Sequence, residues 1–126
     1  GTASPDEKFH VEGDTLIKGD LTVSGALKGG FGISAKSADF TLSYSENGAL
    51  INGTSNAFDQ ISISSDLGAD FNASVLHTGN NVDIVASSSM IINGTVDGTV
   101  TVASGYQPAT IVRVTTNTYA VFGNLV

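Results

Sequence analysis

The sequence has no cysteine and no tryptophan, two prolines, two histidines, and five basic residues against twelve acidic ones. Without cysteine there are no disulfides, no thiolate metal sites and no cysteine nucleophile. With His10 and His77 as the whole imidazole complement, a structural zinc site has no adequate donor set. The net charge of −7 argues against nucleic acid as a partner, because phosphate contacts need basic patches. No apolar run approaches the ~20 residues that span a bilayer, and no secretory leader is read, so no membrane partner is expected. The chain opens on Gly1 rather than methionine, as a processed or excised chain would. Its 126 residues suit one modest domain and an arm, enough to bury a core.

What charge there is divides the chain. Lys8, Lys18, Lys28 and Lys36 stand against Asp6, Glu7, Glu12, Asp14 and Asp20 in residues 1–36, a net −1. Arg113 alone stands against Asp39, Glu46, Asp59, Asp66, Asp70, Asp83 and Asp97 in residues 37–126, a net −6. The glycine-rich stretch Gly29–Lys36 marks the boundary. Serine and threonine supply 28 residues while charged residues make up only 13%, too few for solvated helical surfaces. Hydroxyl and β-branched side chains suit half-buried strands. The expected fold class is all-β: an extended N-terminal arm in residues 1–36, then a compact antiparallel β-sandwich or barrel head in residues 37–126.

The arm carries a six-residue period. Gly13, Gly19 and Gly25 are evenly spaced, and the first two open Gly-Asp pairs. Val11, Thr15, Ile17, Leu21, Val23 and Leu27 fall on alternate positions, with Leu16 the one large apolar residue on the other face. A lone extended segment can neither bury that face nor pair its own backbone. Three copies wound about a common axis would do both, and the repeated glycines would mark bends or close backbone approaches. Two ordinary strands, Val11–Lys18 and Asp20–Leu27, inside one chain are the alternative.

The second part reads as short strands. Phe40, Leu42 and Tyr44 alternate with polar residues, and Asn47-Gly48 follows as a type I′ turn signal. Ile61 and Ile63, then Phe71, Ala73 and Val75, then Val82, Ile84 and Ala86 repeat the alternation. His77-Thr78-Gly79-Asn80-Asn81 interrupts it. Val100 and Val102, Ile111 to Val114, and Tyr119, Val121 and Leu125 complete it. Turn signals recur every ~8–12 residues, as in a sandwich or barrel. Leu50-Ile51-Asn52-Gly53-Thr54 and Ile91-Ile92-Asn93-Gly94-Thr95 are nearly the same pentad. Either one turn chemistry is used twice, which the residues favour, or a sheet-forming unit is duplicated.

The stretch Gly13-Asp14-Thr15-Leu16-Ile17-Lys18-Gly19-Asp20-Leu21-Thr22-Val23-Ser24-Gly25 resembles the shafts of tailed-phage fibres. From about Asn72 the chain also resembles small β-domains of phage fibre and capsid decoration (head fibre) proteins. Val82-x-Ile84, Ile91-Ile92-Asn93-Gly94, Asp97-Gly98-x-Val100, Gly105 and the closing Asn117 to Gly123 carry that likeness. The resemblance implies a homotrimeric virion surface protein with an intertwined shaft and a compact β-head. Two departures, the short chain and the lack of a His-x-His metal motif, favour a short capsid fibre or decoration protein over a long tail adhesin.

No catalytic constellation emerges. Ser-His-Asp hydrolysis would require a positioned serine, and no Gly-x-Ser-x-Gly occurs. His10 and His77 read as surface or interface histidines. Asp59, Asp66 and Asp70 could flank a sugar, but they stand among turn residues, where aspartate bonds its own backbone. Asp66 with Asp70, or Asp14 and Asp20 repeated about a three-fold axis, could gather oxygen ligands for calcium, yet no Asp-x-Asp-x-Asp loop is present. Three Asn-x-Ser/Thr triplets, at Asn52, Asn72 and Asn93, are expected by chance in so hydroxyl-rich a chain. Arg113 lies in an apolar strand, either pairing with an acid or facing outwards. Tyr44, Tyr106 and Tyr119 could stack on sugars, although buried or rim tyrosines are commoner.

The expectation is therefore a non-enzymatic structural protein on the surface of an extracellular virion, with no cofactor and no metal. Residues 1–12 attach it, with Pro5, Phe9 and His10 as attachment contacts to other virion proteins such as the major capsid protein. Val11, Ile17, Leu21, Val23 and Leu27 form the trimer interface, and Gly13, Gly19 and Gly25 are the shaft glycines. The rival reading is a tail-fibre or host-surface glycan-binding module.

Overall fold

A computed structural model describes residues 11–22, 24–25 and 32–126 of the chain. Among these residues there are eleven strands and no α-helix. They are β1 (Ile33–Lys36), β2 (Phe40–Thr41), β3 (Leu50–Gly53), β4 (Gln60–Ile63), β5 (Asn72–His77), β6 (Val82–Ala86), β7 (Ile91–Ile92), β8 (Thr95–Val96), β9 (Thr99–Val102), β10 (Ala109–Thr115) and β11 (Thr118–Gly123). A short 3₁₀ turn, Tyr44–Glu46, precedes β3.

The all-β expectation holds, but the strands are not arranged as an antiparallel head. From β1 to β6 the chain alternates between two sheets, so that β3 pairs in parallel with β1 and β5, and β4 in parallel with β2 and β6. This winding is solenoid-like. Antiparallel pairing enters only afterwards: β9 pairs with β6, β10 with β5, and β11 with β10. The finished sheets run β1-β3-β5-β10-β11-β7-β8 and β2-β4-β6-β9. The turn signals between the early strands pass the chain across to the other sheet instead of reversing it within one. Strand-to-strand advances also differ from coil to coil, which removes any fixed period from the sequence.

Period-two alternation nevertheless sets the faces. Ile51, Val75 and Ile111 point inward from one sheet, and Ile61, Ile63 and Ile84 from the other, all fully buried. Phe58, Phe71 and Leu42 enter the same core from the loops. The two similar pentads take different courses. Asn93 and Gly94 both have positive φ and close the β7–β8 hairpin, whereas Asn52 and Gly53 run straight through β3 in mid-sheet. One turn chemistry used twice is therefore corrected: only the second pentad is a turn. Asn47-Gly48 does turn the chain, with φ −58 and ψ 127 at Asn47 and φ 74 at Gly48, the angles of a type II turn and not the expected I′.

The two ends of the winding differ. At its later end the C-terminus closes over β9, with Leu125 bridging Val102 and the Val126 N–H donating to the Thr101 carbonyl at 3.0 Å. At its first end, where the arm joins, β1 and β2 are the sheet edges. There Lys36 turns inward, 3.2 Å from Glu46 Oε1 and 4.2 Å above the Phe40 ring. A lysine pointing inward from an edge strand opposes edge-to-edge pairing with another sheet. β1, on the arm side of the division after Lys36, thus belongs to the folded body.

Candidate functional site

The described shaft residues take no part in either sheet. Residues 11–22 and 24–25 form no strand, and every one is exposed. A continuous strand over this stretch is thus not what one chain adopts, and among the described residues no strand pairs with it. Val11, Ile17 and Leu21 expose 44%, 49% and 63% of their surfaces, and Leu16 82%. Gly13 and Gly19 share nearly the same positive φ, +112 and +121, so the six-residue spacing repeats in this angle as well as in sequence. Side chains rarely adopt such angles, which accounts for glycine at both points. Gly25 does not share that positive φ. Val23, Leu27, Pro5, Phe9 and His10 lie outside the described residues.

The acids proposed for sugar or calcium chemistry disperse into structural roles. Asp66 accepts from Arg113 Nε at 3.0 Å and Nη2 at 2.7 Å, from the Asn117 N–H at 3.3 Å and from the Tyr119 hydroxyl at 3.2 Å. The Arg113 guanidinium holds the Asp66 carboxyl down at about 2 against the upward push of burial, with smaller help from the Asn117 N–H. Asp66 raises the Arg113 pKa in turn. Arg113 is therefore paired within its own chain, and Asp66 bonds a distant hairpin where turn chemistry predicts bonding to its own backbone. Asp39 accepts from the Asp59 and Gln60 N–H groups, both at 2.9 Å, which lowers its pKa. Asp70 sits at φ 65, a turn position. Among the described residues no three His, Asp or Glu side chains converge on a metal position.

His77 is not a surface histidine: it is the last residue of β5, 4% exposed, with its ring 5.9 Å from that of the buried Phe58. Its Nε2 donates to the Ser55 carbonyl at 2.9 Å, while Nδ1 accepts from the Gly79 N–H at 2.9 Å and the Asn80 N–H at 3.3 Å. Both nitrogens are occupied by backbone, so neither can serve as a catalytic base. Tyr119 is also buried, its hydroxyl accepting from the Leu67 N–H at 2.8 Å. Burial raises its pKa. Tyr44 and Tyr106 remain outside, 58% and 88% exposed.

The sheets turn unlike faces to solvent. On the four-stranded sheet a cross-strand row runs Gln60, Asp83, Thr101, with the Thr101 hydroxyl donating to Asp83 at 2.6 Å. On the seven-stranded sheet a row runs Ile33, Leu50, Ser74, Thr110, Phe122. Ile33 and Phe122 expose 68% and 55% of their surfaces. An open groove of about 420 Å³, lined in part by Leu50, Ser74 and Pro108, lies on this face. Nothing in the residue pattern singled this face out, because it is assembled from strands far apart in the chain. Comparison with protein-family models, with curated proteins and with solved structures finds no match to this chain.

Proposed function

We propose that this chain is a non-enzymatic structural protein of a tailed-phage virion, a homotrimeric short fibre or decoration protein on the capsid surface. In this reading an intertwined N-terminal arm carries a compact β-head, and residues 1–12 attach it to other virion proteins. One observation carries the reading. The arm presents Val11, Ile17 and Leu21, all at odd-numbered positions of the alternation, to solvent, and it pairs with no strand among the described residues. Two further copies would supply both the missing backbone partners and an apolar axis. The engagement of His77 and Asp66 by internal hydrogen bonds weighs against an enzyme.

Light scattering on the full chain tests it. A mass near three times 12.8 kDa is expected. A mass of one chain would remove the shaft and with it the virion reading. The exposed Tyr106 and Tyr44 favour a second reading, a tail-fibre or host-surface glycan-binding module, since exposed aromatic rings stack on sugars. In that case Tyr106→Ala would abolish binding to host cells, whereas a pure decoration protein would show no such dependence.

A further inference from the structure

We infer that the outward face of the seven-stranded sheet is a second contact between copies of this chain, packing against the same face of its neighbours. The inference rests on the trimer reading, in which the arms bring the heads together.

Charge selects the face. Each copy carries −7, so two copies in contact repel unless the touching surfaces leave the carboxylates outside. Asp39, Asp59, Asp66, Asp70 and Asp97 lie outside the strands, and Glu46 is in the 3₁₀ turn. Asp83 is on the outward side of the other sheet. Arg113 is held to Asp66. None stands at an outward position of β1, β3, β5, β10 or β11. Those positions carry instead Ile33, Leu50, Leu76, Val112 and Phe122, interspersed with the uncharged Asn52, Asn72, Ser74 and Thr110, the last two joined by a hydrogen bond of 3.1 Å. That bond uses one hydroxyl proton and leaves the other to donate to a group of the neighbouring copy.

Geometry supports the same choice. The seven-stranded sheet begins at Ile33, the first strand residue after the arm, and Ile33 is its most exposed apolar side chain. A shared arm axis would hold the heads together at an effective concentration far above that in bulk solution. End-on stacking through β1 is opposed by the inward Lys36 and its partner Glu46. The four-stranded face presents Asp83 and would set carboxylates against each other.

The cysteine-free chain permits a direct test in full-length protein. Ser74→Cys and Ser62→Cys place one thiol each at the centre of an outward face, and both serines are half-buried in the single chain. If the trimer packs through the seven-stranded face, maleimide modifies Ser74→Cys at least tenfold more slowly than Ser62→Cys. Adding Phe122→Glu then restores fast labelling at position 74 while the arms keep the trimer mass. A trimer mass with equal labelling rates would overturn the face contact and leave the shaft standing. A monomer mass would overturn both. A tenfold protection that Phe122→Glu leaves unchanged would also overturn the assignment.

Discussion

Gly53 lies directly opposite His77 across the β3–β5 ladder, and the imidazole occupies the space in which a Cβ at position 53 would stand. The ring cannot withdraw, because Ser55 holds one nitrogen and the Gly79 and Asn80 amides hold the other. Gly53→Ala is expected to destabilise the fold by about 1–3 kcal/mol through overpacking. Gly94 stands at the same place in the second pentad with φ +84 and open space around its Cα. There Gly94→Ala costs about 1–2 kcal/mol through backbone strain alone. Urea unfolding in a His77→Ala background separates the two causes. The Gly53→Ala penalty shrinks in that background and the Gly94→Ala penalty does not.

The Asp66–Arg113 pair makes stability fall in acid. The folded Asp66 carboxyl titrates at about 2, below its ordinary 3.8, so its contribution is complete above pH 3.8 and disappears as pH falls toward 2. Asp39 shifts in the same direction, led by the Asp59 N–H. Glu46 also shifts down, since hydrogen bonds from Ser43, Lys36 and Ser45 together outweigh the upward push of burial. Thermal melts should show Tm dropping steeply between pH 4 and pH 2. Asp66→Asn should lower Tm at pH 6 and flatten that slope. An unchanged slope would mean the pair contributes nothing to the acid transition.

Tyr119 joins the closing strand to the loop before β5. Its hydroxyl accepts from Leu67 N–H and donates to Asp66. Tyr119→Phe leaves a buried N–H without a partner and is expected to cost about 1–2 kcal/mol. The loss should appear in denaturant midpoints with no change in oligomeric mass.

The arm can be tested apart from the body. Ile17→Asp would bury a charge on the proposed axis, reducing the mass from three chains to one. Because residues 11–22 take no part in the sheets, the β-body should still fold as a monomer and keep its far-UV β-sheet signal. A variant that still assembles would refute the axial placement of Ile17.

Attachment makes a separate prediction. Deletion of residues 1–12 should leave a trimer that no longer decorates particles. Retained binding in a particle co-sedimentation assay would place the attachment contacts elsewhere in the chain.

Local pattern determined which side chains are inside. Alternation at Ile61-Ser62-Ile63, Ala73-Ser74-Val75 and Val82-Asp83-Ile84 matches the buried positions, because a strand's period of two is a property of its own backbone. The closing Tyr119 and Val121 are inside for the same reason. Partner choice is different in kind. Whether a turn reverses the chain within a sheet or passes it to the opposite one depends on what waits there. The parallel pairing of β1 to β6 was therefore not legible in turn signals, nor was Asp66 meeting Arg113 from another part of the chain. The two pentads show the division most clearly. Their residues alone permit a turn at either place, and Asn93-Gly94 makes one. At Asn52-Gly53 the strand continues, since β1 and β5 flank it in register and the His77 ring needs the space that only glycine leaves open.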